Sequence, residues 1–251
     1  SVGLPKLEPS EQLINHKAMS LVYAEKHEQP KWVSHIITTD IRNGVQGRSN
    51  DFRVDSMVST GTATETDYFL KSLKADGTFA YDAFGYDRGH LAPSADFRWS
   101  AQALSESYYY SNMSPMLADF NRESWAKLED LFRAYIYRNP DTQLCMVTGP
   151  VLQDDLTKIP RAVNNVTVPK LFYKMALDLK NKRAIAFLMP NALNEKPLES
   201  YAVSIDQVES LTGIDFYHQL PEDMESALEA NASPREFLSL AEQTDVIPDH
   251  P

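Results

Sequence analysis

The chain has 251 residues, 43% of them hydrophobic, which excludes a disordered polymer and provides for one large domain or two small ones. Its 24 basic side chains are outnumbered by 35 acidic ones, a formal net charge of −11. That balance excludes a protein that coats nucleic acid over its whole surface and leaves room for a local basic cleft.

Residues 1–30 read as an N-terminal extension, a loop carrying one short amphipathic stretch at 13–23. Residues 32–39, from Trp32 onward, are β-branched and partly alternating, the pattern of a strand. Asn43-Gly44 and Gln46-Gly47 punctuate turns, and Asp76-Gly77 joins two extended pieces. The clearest helix spans 121–137, where Trp125, Leu128, Leu131, Phe132, Tyr135 and Ile136 fall on one face and Arg138-Asn139-Pro140 ends the run. Residues 144–148, 166–179 and 184–190 are strand-like, and 204–241 reads as helical, with 217–251 a C-terminal tail. The expected fold is a single α+β domain, 1–251, with a mostly antiparallel sheet. The lone cysteine, Cys145, lies in an apolar run, reads as buried in a strand, and excludes an intramolecular disulfide. No apolar run is long enough to span a membrane. The chain opens at Ser1 without methionine, so either a leader or a longer start has been removed.

Chemistry concentrates in Tyr86-Asp87-Arg88-Gly89-His90. A neutral imidazole at His90 can take a proton from water and make a nucleophile. A lone histidine is ordinarily a structural one, but here Arg88 supplies a fixed charge, Asp87 can orient or neutralise, and Gly89 gives a flexible joint. Downstream, Asn121 and Glu129 stand eight residues apart, roughly 80° around a helix, so the two could share a hydrated cation. On spacing alone, a helix cap at Asn121 and a solvated acid at Glu129 explain the pair more simply.

The order DRGH, then Asn-x-Ser-Pro, then Phe-Asn-x-x-x-Trp-x-x-Leu-Glu resembles the DNA/RNA non-specific endonuclease family, the ββα-metal nucleases of the Serratia and endonuclease G type. The likeness runs from about Trp32 to Phe216 and includes GRSNDFRVD, TGPV and IAFLMPN. It implies a ββα-metal core with a central, mostly antiparallel sheet flanked by helices. It also implies roles: His90 as general base, Asn121 as the single protein ligand of Mg²⁺ (or Mn²⁺ or another divalent ion), and Glu129 as the acid holding metal-bound water. Asn112 matches an active-site asparagine near the histidine, and Arg88 the arginine beside the phosphate. Arg48 is the best match to an upstream phosphate clamp, with Arg53 in reserve. The implied reaction is hydrolysis of DNA and RNA with little sequence preference, leaving 5′-phosphate ends, in a secreted or periplasmic enzyme. Besides the nucleic acid, a second copy of the chain and a protein inhibitor are the partners the resemblance brings to mind.

The residue types suit the reaction. A phosphodiester repels hydroxide, so a base must form the nucleophile, arginines placed in advance must meet the growing charge, and a Lewis acid must stabilise the departing 3′ oxygen. None of the named groups reads bases, and phosphate contacts carry no direct sequence information. Two departures stand out: Met116 occupies a position where many members carry glutamine, and the stretch 67–82 is long for this family. Tyr108-Tyr109-Tyr110 reads as core packing before base stacking.

Other classes fit poorly. The six histidines include no His-x-x-x-His pair for zinc, and no Gly-x-Ser-x-Gly or Gly-x-x-x-x-Gly-Lys is present. The remaining rival is a non-catalytic binding member of the same fold, against which the intact His90, Asn121 and Glu129 weigh. The glycosylation-type triplets at Asn112, Asn165 and Asn231 read as accidental.

Overall fold

The structure, a computed structural model, describes residues 2–235 and 237. In chain order, β1 (Leu13–Asn15), β2 (Met19–Ala24) and β3 (Gln29–Ile37) are followed by the hairpin β4 (Phe69–Leu73) and β5 (Phe79–Ala83). Then come β6 (Asp87–His90), α1 (Ala101–Glu106), β7 (Met113–Met116) and α2 (Trp125–Arg138). The chain continues through β8 (Leu144–Pro150), β9 (Leu171–Asp178), β10 (Arg183–Pro190) and β11 (Ala202–Val203) to α3 (Ile205–Thr212) and α4 (Glu222–Glu229).

Seven strands form the main sheet in the order β1-β2-β3-β8-β9-β10-β11, every neighbouring pair antiparallel. Its central strands are apolar on both faces, and successive side chains feed two separate cores. Leu144 and Met146 of β8 join one core, and Cys145 and Val147 join the other. The first core takes the apolar stripe of α2 (Trp125, Leu128, Phe132, Tyr135, Ile136), and the second takes Ile205, Val208 and Leu228 of α3 and α4. The result is three layers, helix, sheet and helices, an α+β fold. No described helix is long and apolar enough to cross a membrane.

Several boundaries differ from the sequence reading. Residues 1–30 are no appendage: β1 and β2 form an edge hairpin of the main sheet, and Met19 and Leu21 are buried. The stretch 13–23 is therefore two strands, too short for either period to declare itself. β3 starts earlier and ends at Ile37, because Thr38 accepts from the Asp40 amide and turns the chain into a 3₁₀ segment, Thr39–Asn43. β9, expected over 166–179, begins at Leu171, since Thr167 and Val168 are diverted to pair with Lys158 and Thr157. The tail helix is interrupted: Gly213, at φ 71°, ends α3 in the left-handed conformation that glycine adopts without cost. Tyr217 then turns inward, donating its hydroxyl to the Cys145 carbonyl at 2.8 Å. Residues 236 and 238–241 of that expected helix lie outside the described residues.

β6 and β7 form a separate two-stranded unit on the α2 side, with Asp87 opposite Met116 and His90 opposite Met113. Lys174, buried in β9, ties this unit to the main sheet through its bond to the Leu91 carbonyl at 2.9 Å.

Candidate active site

β6 is regular strand, so Gly89 is not a joint. Its role is space: a Cβ there would lie 2.3 Å from the Met116 Sδ. Met116 is fully buried, and its thioether fills the notch that glycine leaves. His90 ends the strand. Its ring meets Tyr108 edge to face, centroids 4.8 Å apart, and Phe52 at 5.8 Å. The Trp125 indole of α2 donates to the His90 carbonyl at 3.4 Å. Just past the strand, the chain is held by Asn112, whose amide oxygen accepts from Ala92 N at 3.0 Å. Both amide hydrogens of Asn112 are used, on the Ala92 and Ser107 carbonyls at 2.9 Å each. Asn112 is fully buried, so the structure gives this predicted site residue a clamping position and no open face. Tyr108 and Tyr110 are buried, as expected for core residues.

The helix that carries Asn121 opens with a π-helical turn, Phe120–Ser124, before regular α2 begins. Such turns displace side chains from ordinary helical spacing and are frequent at functional sites. Here the turn brings Asn121 and Arg122 onto one partner. The Asn121 amide donates to Asp87 Oδ2 at 2.9 Å, while Arg122 forks onto both carboxylate oxygens at 2.9 and 2.8 Å. Asp87 thus spends its charge on a guanidinium and fixes the Asn121 amide nitrogen, and among the described residues no protein group donates to the Asn121 Oδ1.

These groups wall a cleft of 560 Å³ with Arg48, Arg88, Phe52, Tyr68, Phe69 and Tyr81. The cleft brings together Arg48, Arg88 and Asn121 of the predicted set. A slightly larger recess, 640 Å³ beside Thr142 and Cys145, holds none of that set. Arg88 lies over the Phe52 ring at 3.6 Å and donates to the Tyr110 hydroxyl at 3.3 Å. Arg48 stands 5.8 Å over Tyr108 and also borders a second cavity of 300 Å³. Arg53 is occupied elsewhere: it donates to Asp51 and to the Ser105 carbonyl and covers the Tyr109 ring at 4.1 Å.

His90 does not line the cleft; it adjoins it through Phe52, which does. Burial first, then the charges of Arg48 and Arg88, push the imidazole from 6.5 down to about 3, so the ring is neutral at ordinary pH. Its Nε2 is buried without a hydrogen-bond partner. Glu129 lies half-buried about one turn into α2, away from the cleft lining. Burial raises its carboxyl, against the opposing pull of the Lys174 and Arg133 charges. Lys174, whose ammonium burial pushes down, packs 4.8 Å over the Trp125 ring. Beside it, Arg133 and His35 both bond Asp96 at 2.8 Å, anchoring the 3₁₀ turn Ser94–Phe97 that follows the DRGH strand.

Sequence reasoning overlooked Arg122 and Lys174 and gave Asp87 only a general part. The signals were present: an arginine next to the candidate metal ligand, and a lysine inside the otherwise apolar Phe172–Leu177 run.

Comparison with known proteins identifies the family and the fold. Residues 5–223 match the family model described as DNA/RNA non-specific endonuclease. A nuclease of Nostoc sp. is 29% identical over 90% of this chain and 80% of its own length. A nuclease of Serratia marcescens is 28% identical over 92% and 84%, and human mitochondrial endonuclease G 29% over 85% and 71%. A solved structure of the EndoG/EndoGI complex, concerned with EndoG inhibition, superimposes with a TM-score of 0.69 at 27% identity, covering 89% of this chain and 91% of that one.

Proposed function

The chain belongs to the DNA/RNA non-specific endonuclease family, and from that premise we propose that its cleft hydrolyses phosphodiester bonds with a divalent metal ion, magnesium first, held at Asn121. One observation carries the reading: Arg48, Arg88 and Asn121, distant in sequence, share one cleft beside a neutral histidine.

The donor set fits a hard cation. Asn121 lines the cleft and has its amide nitrogen committed to Asp87, which leaves its oxygen to serve as a neutral ligand, and oxygen donors in small number suit Mg²⁺. When bound, the ion supplies Lewis-acid stabilisation of the leaving 3′ oxygen. The chain's own residues do the rest. His90, uncharged, takes a proton from the attacking water, and its Nε2 supports this because among the described residues no protein group occupies it. Arg48 and Arg88 hold the phosphate and oppose charge gathering on its oxygens; Arg53, tied to Asp51 and Ser105, is the poorer candidate for the clamp. Arg122 orients the Asp87 carboxylate, and through it the Asn121 amide. Glu129 orders water behind the head of α2. Asn112 holds the loop after His90 in place and touches no substrate.

Products with 5′-phosphate ends follow from attack on phosphorus with departure of the 3′ oxygen. A cutter with no base-reading group endangers any nucleic acid around it, which supports a secreted or periplasmic location or another compartment kept apart. A homodimer and a protein inhibitor belong to this proposal as partners. The inhibitor has its support in the likeness to EndoG, whose solved complex concerns its inhibition.

The test is digestion of plasmid DNA and of RNA with magnesium, then with chelator, with His90→Ala as control. Cutting that chelator abolishes and that His90→Ala lowers by about 10²–10⁴-fold is expected. Retention of full activity in His90→Ala rejects the mechanism, and absence of cutting with any divalent ion favours the non-catalytic binding member.

A further inference from the structure

Resting on the nuclease reading, we propose that the β4–β5 hairpin is a stacking arm that holds the unpaired bases of single-stranded DNA or RNA as the strand enters the cleft. Antiparallel pairing of Phe69 with Ala83, Lys71 with Tyr81 and Leu73 with Phe79 places these six side chains on one face. Three of them, Phe69, Tyr81 and Ala83, line the cleft, so the face is a direct outward continuation of it.

The face is aromatic and exposed. The Phe69 and Tyr81 rings meet edge to face at 5.6 Å, and the Lys71 ammonium lies 4.5 Å over Phe79. Tyr81 is 64% exposed, Phe79 45% and Leu73 68%. A two-stranded hairpin in water gains little from such residues unless something lies on them. The acids are elsewhere. Asp82 points to the opposite face and pairs with Arg161 at 2.7 Å, and Asp76 sits in the turn bonded to Thr78. What the arm offers the cleft is therefore rings and one ammonium, without a carboxylate.

That chemistry matches a nucleic-acid strand: rings stack on bases, and the lysine meets a phosphate. At the base of the arm, Arg88 lies 4.9 Å over Phe69, joining the platform to the phosphate site. A duplex keeps its base faces stacked on one another, so only an unpaired strand can use the platform. The arm thus shifts preference toward single strands without reading sequence.

The experiment uses a single-stranded oligonucleotide carrying 2-aminopurine, whose fluorescence is quenched by stacking, titrated into the full chain in chelator. The doubly substituted Phe79→Leu, Tyr81→Leu protein is compared with Tyr81→Phe. The leucine pair is expected to weaken binding about tenfold or more and to lose the quenching, while Tyr81→Phe keeps both. In magnesium, the leucine pair is expected to lower the ratio of kcat/KM on single strands to that on duplex by a similar factor. Leucine variants that bind, quench and cut as the unmodified chain does overturn the arm, as does absence of quenching in the unmodified chain. Binding and quenching by an unmodified chain that never cuts overturns the nuclease reading and leaves the arm standing.

Discussion

His90 is a base only while uncharged, and burial first, then the arginines beside it, keep it so. Its pKa lies near 3 in the free protein, so the acid limb of kcat/KM belongs well below the ordinary histidine range. Arg48→Ala removes one of the charges pushing it down and is expected to move that limb upward, read from rate profiles at subsaturating substrate. A limb that stays in place removes Arg48 from the neighbourhood of the base. A phosphate bound between the arginines acts in the same upward direction, so the limb in kcat belongs above the limb in kcat/KM. Asn112 shows the reverse relation between motif and role. Removing its amide in Asn112→Ala leaves two carbonyls and one N–H unpaired in the interior, at about 1–3 kcal/mol each. A loss of stability of at least about 3 kcal/mol is expected from urea denaturation. An equally stable but inactive variant returns the side chain to the substrate. Motif spacing could locate both residues but could not tell an open side chain from a saturated one, because that depends on which backbone groups end up opposite.

Among the elements, the β6–β7 ribbon and the helix after it carry the site, and each is set by a local steric fact. Gly89 and Met116 form one unit, glycine giving the space and methionine filling it. Gly89→Ala is expected to cost about 1–3 kcal/mol, with a Met116→Ala change in the same chain recovering part of the loss in a double-mutant cycle. Strict additivity of the two changes separates them. The long helix was legible because its apolar stripe repeats over about three turns, from Trp125 to Ile136. Its π-helical opening was not, since one extra residue in a turn leaves no mark on the periodicity. β1, with three residues, offers too few positions to show alternation. The break between α3 and α4 was signalled by Gly213, but its meaning depends on a positive φ that composition does not reveal.

Across the whole molecule, the sheet separates two cores, and only one carries chemistry. α2 and the DRGH ribbon occupy one face, and α3 and α4 seal the other. Antiparallel pairing was readable from strand lengths and turns. The order β1-β2-β3-β8 was not, because the Met19–Ala24 strand announces neither its partner nor its edge position. The cleft itself assembles residues 48, 88 and 121 from three separate stretches, which ordered motifs could anticipate and spacing alone could not.

Guanidinium groups gathered in one recess of so acidic a chain give the protein an unusual response to ionic strength. Among the described residues Arg48 and Arg88 make no ion pair with a carboxylate, whereas Arg122 is committed to Asp87. On duplex DNA, which does not engage Lys71 of the arm, the two phosphate contacts at Arg48 and Arg88 predict a slope of log affinity against log salt near −2, at about −0.9 per contact. Counterions also screen the repulsion between DNA and the excess of 35 acidic over 24 basic side chains, which flattens the slope further. A titration in potassium chloride is expected to give a slope between 0 and about −2, and anything steeper than about −3 requires cationic contacts outside the recess. Brine that strips a basic nuclease from its substrate would leave this one working.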